Sequence, residues 1–383
     1  TPVSVMTTRV QLRLLVVLCF LRGLYYLRLV RVFGGIPKIT EPIVSSSNWQ
    51  QNRASVQDIY TLIISDLEAA NAGLWKKSEY PVDDIGRATK GAAQAMLLKA
   101  HLYNKAFAEA KRWGDSIMQS NEYELVSNYA DNFTLAGENG PESVFEIQYM
   151  EDPTSDYGEG FGFTRGSFTV ILTRSRSSKL GGGWGFNKPT KNLYATYEAG
   201  DPRRDATILN PSDNDIETPE QEIYLGSRYL NRKYAMMNND NSYYALTHPT
   251  RGPINNKVIR YSDVLLMYAE ACNEINQLVP AKNALEVVRK RARGNDPILP
   301  SFPYGVYADN QSDLRKAIRH ERRVELAMEG HRWFDLCRWG VAKEVMDAYK
   351  ATETAEVQQH MATFIKGTHE LFPIPSKEID LNP

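Results

Sequence analysis

The residues whose types and spacing could do chemistry are densest between His320 and Gly340, in HERRVELAMEGHRWFDLCRWG. Glu321, Glu325 and Glu329 recur every four residues, so a helix would carry all three carboxylates on one face. His320 and Glu321 begin the HExxH pattern of zinc proteases, but the second histidine of that pattern is missing. A metal held by His320 with His331, Glu325 or Asp335 is the alternative. We favour a salt-bridged helix pair with a structural role.

The same stretch predicts how its helices end and pair. Gly330 is placed to end one helix and to let the next begin. Arg332 follows Glu329 by three residues, and Arg338 follows Asp335 by three, so each pair can meet across a helical turn.

Other catalytic signatures are missing from the sequence. It contains no GxSxG, and GFGFTRG lacks the lysine of a Walker phosphate loop. Carboxylate pairs for glycoside hydrolysis are set by the fold and cannot be chosen from spacing. We therefore predict a binding protein and not an enzyme.

Metal and cofactor sites are also not indicated. The segments Ser212–Glu217 and Asn238–Ser242 offer oxygen ligands of the kind that calcium takes, but neither has the full loop pattern. Solvated loops are the favoured interpretation, and we expect no cofactor. The three cysteines, Cys19, Cys272 and Cys337, share no metal-like spacing, so we predict buried thiols.

Composition restricts the class of partner. Lys and Arg total 45 and Asp and Glu total 46, which gives a net charge of −1. This balance argues against nucleic acid, because neutralising phosphates requires a basic face. The chain has 21 Tyr and 6 Trp against 13 Phe. Aromatic side chains with a polar edge suit surfaces that are both apolar and wet.

Tryptophans outside the predicted helical faces are the best candidates for a ligand site. A flat ring can stack on the apolar face of a sugar while neighbouring polar groups bind its hydroxyls. Trp49 lies in SSSNWQQN, Trp75 lies at a helix end close to Tyr80, and Trp184 lies in GGGWGFN. A core position is the alternative for each. Three other tryptophans lie on helical faces and are predicted to be core: Trp113, Trp333 and Trp339.

The elements that would position these residues are mostly helices. Hydrophobic periodicity and capping signals predict helices over 10–33, from Ser55 to about Leu74, and over 89–102, 106–119, 262–276 and 280–292. Aligning LLKAHLYN with LMYAEACN places Ala100 on Ala269, an offset of 169 residues. Small residues in repeated amphipathic helix pairs are typical of tetratricopeptide-type repeats.

Residues 135–255 differ from the helical parts, because they are rich in Gly, Asn, Asp, Ser, Thr and aromatic residues. Short strand-like pieces occur at Ser143–Gln148 and Phe168–Leu172. The aromatic content argues against disorder. We predict a loop-rich subdomain inserted into the helical scaffold.

Five segments, in order, resemble the SusD/RagB family, the surface glycan-binding lipoproteins of Bacteroidetes. They are Phe20–Thr40, Gly86–Tyr103, Ile259–Ile275, His320–Gly340 and Leu371–Pro383. The resemblance implies a mainly α-helical, right-handed scaffold of degenerate tetratricopeptide-type repeats. Its expected parts are an N-terminal helical region (1–134), the inserted subdomain (135–255) and a C-terminal region (256–383), in one compact unit.

The resemblance also implies the function and the site. An aromatic arc that binds glycan would include a residue just before the GRATKGAA-like helix, which favours Trp75 with Tyr80 nearby. The rest of the arc would come from variable loops, which makes Trp49, Tyr157, Phe163 and Trp184 candidates. The protein would capture oligosaccharides, or less often peptides, for a SusC-like TonB-dependent transporter. It would face outward on the outer membrane through an N-terminal lipid that this chain does not include.

The main alternative is a helical-repeat adaptor or a peptide-binding protein of the same uptake system, with a concave surface that binds a protein segment. An aromatic platform with affinity for glycans would favour the first interpretation. A peptide groove without such a platform would favour the second.

Overall fold

The structure is a computed structural model that describes residues 8–44, 49–151, 165–216, 227–237, 245–246, 252–294 and 298–381. The chain is mainly α-helical, as the sequence predicts. The first four helices are α1 (Thr8–Phe33), α2 (Val56–Gly73), α3 (Lys90–Tyr103) and α4 (Phe107–Gln119). Three short helices follow: α5 (Thr169–Thr173), α6 (Lys191–Tyr194) and α7 (Pro202–Thr207). The C-terminal part contains α8 (Tyr261–Glu274), α9 (Leu278–Arg293), α10 (Gln311–Glu325), α11 (Arg332–Arg338), α12 (Ala342–Thr352), α13 (Ala355–His360) and α14 (Ser376–Leu381).

The ends of the long helices follow the capping signals of the sequence. The Ser55 hydroxyl accepts the backbone N–H of Asp58 at 3.1 Å and so caps α2. Thr89 caps α3 by accepting the N–H of Ala92, also at 3.1 Å. Gly34 ends α1 with a φ of 73°, a conformation that glycine adopts without strain.

Consecutive long helices pack side by side and enclose one main core. α1 contacts α2, α2 contacts α3, α3 contacts α4, and α4 contacts α8, which in turn packs on α9 and α10. Nearly every side chain of α3 and α8 is buried, so these two helices form the centre of the scaffold. The main core joins Leu27 of α1, Ile63 of α2, Leu97 of α3 and Met267 of α8.

The repeated helix pair is present, but its register differs from the predicted alignment. Lys105 and Asn276 both have a φ of 59°, and each occupies the turn between the two helices of its pair. Matching these turns places Ala100 on Ala271, an offset of 171 residues rather than the predicted 169. Sequence identity of Ala100 with Ala269 was therefore misleading, because the turn geometry and not the residue type sets the register.

The two ends of the middle region meet in a small sheet. β1 (Ser143–Ile147) pairs antiparallel with β4 (Asn256–Arg260), with Phe145 opposite Ile259. Between them, β2 (Ile208–Leu209) pairs with β3 (Leu230–Asn231). The strand predicted at 143–148 is confirmed. The division of the chain into three parts stays a prediction.

The strand predicted at Phe168–Leu172 is wrong, because Thr169–Thr173 is the short helix α5. The β-branched residues of this segment favour a strand by local propensity. In the structure the helical turn buries Val170 completely, and the Thr173 hydroxyl donates to the carbonyl oxygen of Thr169. Tertiary packing therefore overrides the local preference.

The end of α10 also differs in detail from the prediction. The helix ends at Glu325, and a turn over 326–330 leads to α11. Gly330 has a φ of 80°, so it ends this turn rather than the helix itself. None of the described helices, including the 26-residue α1, is long and apolar enough to cross a membrane.

Candidate functional site

Trp75 and Tyr80 lie together in the segment that links α2 to α3. The backbone N–H of Lys90 donates to the carbonyl oxygen of Trp75 at 2.7 Å, which ties Trp75 to the start of α3. The Tyr80 hydroxyl donates to the carbonyl oxygen of Ala88 at 2.9 Å. The two rings lie 5.5 Å apart, tilted by 53°, and both side chains are half-buried. The sequence predicted this neighbourhood, and the structure brings the two residues into contact.

A cavity of about 210 Å³ opens beside this aromatic pair. The guanidinium group of Arg13 lies over the Trp75 ring, 3.5 Å from its centre. Asp84 and Arg87 also line the cavity and are joined by a hydrogen bond of 2.7 Å. An aromatic surface therefore lies beside groups that can both donate and accept hydrogen bonds, the combination that sugar binding requires.

A second cavity, of about 190 Å³, lies next to the first, and Tyr80, Asp84 and Arg87 line both. Lys77 lines the second cavity and donates to the carbonyl oxygens of Gly140, at 2.6 Å, and Ser143, at 3.0 Å. Burial lowers the pKa of Lys77 to about 8. The two cavities form one polar and aromatic depression, which we call the Trp75 depression.

Glu146 is the buried acid of the second cavity. Burial by itself would raise the pKa of this carboxyl, but the ammonium group of Lys257, which donates to it, brings the pKa below its usual range. Glu146 therefore stays ionised and fully engaged with its partners. Such a paired carboxylate stabilises the strand β1 and its neighbours and is not a general acid.

Trp184 belongs to a second aromatic cluster, whose rings do not contact the Trp75 ring. Its ring lies 5.1 Å from Phe168 and 6.1 Å from Phe186, perpendicular to both. The Trp184 and Phe186 side chains are 45% and 52% exposed. The backbone N–H of Trp184 donates to the carbonyl oxygen of Ile171 at 2.8 Å, so α5 holds this cluster in place.

The other predicted site residues are not brought together by the structure. Trp49 is 66% exposed, and the ring contacts among described residues do not include it. Tyr157 and Phe163 lie outside the described residues. Trp113 is buried, as predicted, whereas Trp333 and Trp339 are only half-buried and pack on the core of the C-terminal part.

Several residues of these surfaces were missed by sequence reasoning. Asp84 and Arg87 stand three apart in VDDIGR, and this spacing is the signal that could have indicated them. Phe186 follows Trp184 by two residues in GGGWGFN, and in an extended segment this spacing puts both rings on the same side. Arg13 left no local signal, because it reaches Trp75 through the packing of α1 on α2.

The carboxylates of the HERRVE segment are structural. Glu321 and Glu325 lie on α10, whereas Glu329 lies in the turn after it, so the prediction that one helix carries all three is wrong for Glu329. The side chains of all three are buried. Arg203 of α7 donates to Glu321 at 2.5 Å and to Glu325 at 3.0 Å. Arg260 donates to Glu329 at 2.8 Å, so Glu329 is bound by a residue of β4 and by Lys233 rather than by the predicted Arg332.

The second predicted pair of this segment forms, since Arg338 and Asp335 lie 2.8 Å apart. Burial would raise the pKa of Glu329, but Arg260 and Lys233 hold this pKa at about 2. The acids are therefore ionised and already bound. Among the described residues, no group of three or more His, Cys, Asp and Glu side chains could hold a metal ion.

Two family models match the chain. The model described as "SusD family" matches residues 141–383, more than half of the chain. The model described as "Starch-binding associating with outer membrane" matches residues 16–102. A SusD-like protein of Formosa agariphila is 27% identical over 398 residues, which covers 95% of this chain and 70% of that protein. A SusD-like protein of Bacteroides ovatus is 25% identical, and the alignment covers 83% of this chain and 57% of the relative.

Solved structures agree over almost the whole chain. A SusD-like carbohydrate-binding protein of Bacteroides fragilis has a TM-score of 0.81 at 26% identity, covering 98% of this chain and 80% of the other. A laminarin-binding SusD-like protein has a TM-score of 0.80 at 27% identity, with coverages of 98% and 78%. Surface glycan-binding protein A of Bacteroides fluxus has a TM-score of 0.80 at 26% identity, with coverages of 100% and 77%.

Proposed function

Because this chain belongs to the SusD family, we propose that it is a cell-surface protein that binds oligosaccharides and passes them to a SusC-like TonB-dependent transporter. Two similar proteins support a glycan ligand, since one is described as laminarin-binding and the other as a surface glycan-binding protein. The description of the matching N-terminal model supports association with the outer membrane. Lipid anchoring and an outward orientation complete the proposal. The protein performs no chemistry on its ligand.

The observation that carries this proposal is the Trp75 depression. It combines a half-buried pair of aromatic rings with the polar side chains of Asp84, Arg87 and Lys77. Arg13 covers part of the Trp75 ring, so a sugar would meet the parts of the ring that Arg13 leaves uncovered. Asp84 and Arg87 bind each other, and the oxygens and N–H groups that this pair leaves over can accept and donate hydrogen bonds to sugar hydroxyls.

The role of Trp75 can be tested by Trp75→Ala and isothermal titration against laminarin and starch fragments. Loss of one stacking ring costs about 1–3 kcal/mol, by analogy with base–aromatic contacts, which corresponds to an affinity about five- to a hundredfold weaker. We expect this loss with an unchanged far-UV circular dichroism spectrum. Copurification of the protein with a TonB-dependent transporter from outer membranes tests the second half of the proposal.

Two control variants make the titration interpretable. Phe372→Ala removes a ring that is 58% exposed, and its backbone N–H is bonded to Val32 at the far end of α1 from Arg13. The 19 residues between positions 13 and 32 correspond to roughly 28 Å along the helix. Phe372→Ala should bind like the parent, and Trp113→Ala should unfold because it opens the core. Parental affinity in Trp75→Ala, or unfolding of that variant, would show that Trp75 is not a ligand residue.

A further inference from the structure

A separate cavity of about 330 Å³ lies between α1, α3, β4 and the turn that precedes α11. Leu24 and Met96 form part of its apolar wall, and both are almost fully buried. Its volume lies in the range of small-ligand sites, which run from about 300 to 1,000 Å³. It shares no lining residue with the Trp75 depression, so the two sites can be tested independently.

Positive charge exceeds negative charge among the described residues that line this cavity. Arg28 and Arg31 of α1 both line it, and neither guanidinium forms an ion pair with a carboxylate of the described residues. Arg31 donates to the carbonyl oxygen of Leu27 at 3.1 Å and lies over the Phe334 ring. The acid of the lining, Glu329, is already neutralised by Arg260 and Lys233, as described above.

The inner end of the cavity holds a buried ammonium group. Lys99 Nζ lies 3.1 Å from Asp263 Oδ2 and 3.4 Å from His331 Nδ1. Asp263 is shared, because its other oxygen accepts from Arg322 at 2.8 Å. Arg322 is bound by Asp335 as well, at 2.9 Å, so Asp263 is left as the carboxylate partner of Lys99. Burial, followed by the charge of Lys99, lowers the pKa of His331 to about 4.

We propose that this cavity binds a small oxyanion, a carboxylate or a sulfate group, held between Arg28, Arg31 and Lys99. Guanidinium groups bind planar and tetrahedral oxyanions through paired, charge-assisted hydrogen bonds. Lys99 is buried, and hydrogen bonds to a buried charge are stronger than in bulk solvent. The anion reaches the cavity either free in solution or as a substituent of a sugar, and the test separates these sources.

The test is isothermal titration of the intact chain with sodium sulfate, sodium acetate, glucuronate and glucose at low ionic strength. We expect the anions to bind, and glucose not to bind at this site. Arg28 is half-buried, so Arg28→Gln should fold and should weaken anion binding at least about fivefold, the loss of one charge-assisted hydrogen bond. The matched control, Arg112→Gln, removes a guanidinium from the exposed face of α4 and should bind anions like the parent.

A second readout places the anion in the cavity. A bound anion stabilises the imidazolium form, so sulfate or glucuronate should raise the pKa of His331, followed by NMR of its ring. Tighter binding of glucuronate than of acetate would identify the ligand as a group carried on a sugar. Binding of sulfate that is as tight as that of glucuronate, or tighter, would identify a free anion. Both outcomes support the site. Anion binding that is unchanged in Arg28→Gln and leaves the His331 titration unaffected overturns it. Trp75→Ala should bind these anions like the parent, whatever its affinity for glycans.

Discussion

Among the described residues, five of the largest fully buried side chains are arginines: Arg174, Arg203, Arg260, Arg289 and Arg322. Each donates to carboxylate or carbonyl oxygens inside the protein. Buried ion pairs stabilise a fold little when compared with well-packed apolar residues. Removing one partner is costly, however, because the other charge stays in the interior. The effect of a substitution here is therefore decided by the groups that it leaves behind.

Replacing Glu325 tests the cost of leaving buried charges without a partner. It accepts from Arg203, Arg260 and Arg291, and Glu325→Ala should lower the free energy of unfolding by about 3–5 kcal/mol. Urea denaturation followed by circular dichroism measures the loss. Glu109→Ala, which removes an acid from an exposed i,i+3 pair on α4, is the control and should cost at most about 1 kcal/mol. Equal losses in the two variants would contradict the structural role of the network.

His331 should make stability depend on pH in mildly acidic solution. It faces Lys99 of α3, Asp263 of α8, Arg322 of α10 and Glu329 of the preceding turn. Its pKa is about 4 in the folded protein against an ordinary value of 6.5. Between these values the unfolded chain binds more protons than the folded one. Stability is therefore full above about pH 6.5 and falls as the pH drops towards 4.

The 2.5-unit difference corresponds to at most about 3 kcal/mol. We expect the free energy of unfolding to fall by an amount of this order between pH 6.5 and 4, and to fall much less in His331→Gln. Denaturation curves at half-unit pH steps measure both slopes. The same variant should keep its affinity for glycans, since His331 lies outside the Trp75 depression. Parallel slopes in parent and variant would show that His331 is not buried as a neutral ring.

At the scale of helices, the N-terminal helix pair (α3 and α4) joins the C-terminal pair (α8 and α9) where α4 packs closely on α8. A Cβ atom added at Gly114 of α4 would lie 2.5 Å from Cδ2 of Tyr268 on α8. Tyr268 is itself fixed, because its hydroxyl donates to Asp115 at 2.9 Å. Gly114 is therefore the position at which α4 and α8 can meet without a side chain between them.

Gly114→Ala should destabilise the protein by about 1–3 kcal/mol, because overpacking at this contact outweighs the gain in helix propensity. Thermal unfolding by calorimetry measures the loss. Gln119→Ala lies on the exposed face of the same helix and should change stability by less than about 0.5 kcal/mol. A stabilised Gly114→Ala would mean that α4 and α8 lie further apart than the structure places them.

Local signals predicted those elements whose boundaries are decided by nearby residues. Ser55 and Thr89 define helix starts through their own hydroxyls, so the starts of α2 and α3 were predictable. The segment 169–173 was not, because burial of Val170 by distant residues decides its conformation. The contact of Trp75 with Tyr80 followed from their spacing, whereas the position of Arg13 over Trp75 depends on how α1 packs.

At the scale of the whole molecule, the predicted insertion has a specific attachment. β1 and β4 bring its two ends together, and Arg203 of α7 joins it to α10 through Glu321 and Glu325. The middle region is thus fixed to the scaffold both at its ends and through a buried ionic contact. A cut within it should therefore leave the flanking helices associated.

Limited proteolysis tests this arrangement. We expect the first cuts near Gly181–Gly183 or near Asn238–Ser242, and size-exclusion chromatography of the nicked protein should still give one particle. Mass spectrometry of the early fragments identifies the sites. Resistance of the middle region together with early cleavage between Leu97 and Ile117, inside the buried helices α3 and α4, would contradict an insertion on a helical scaffold.

The buried ionic network also constrains the order in which the chain can fold during synthesis. Glu142 pairs with Arg260, 118 residues further along the chain, and with Arg291, 149 residues further along. Arg203 and its partner Glu321 are also separated by 118 residues. Until α10 has been synthesised, Arg203, Arg260 and Arg291 each lack at least one of the acids that bind them in the folded protein. This part of the interior therefore stays hydrated, since burying incompletely paired charges is costly. Contacts of such sequence separation also form slowly. The nascent chain can therefore pack α1 to α4 early, but this charged part of the interior closes only after α10 has been synthesised.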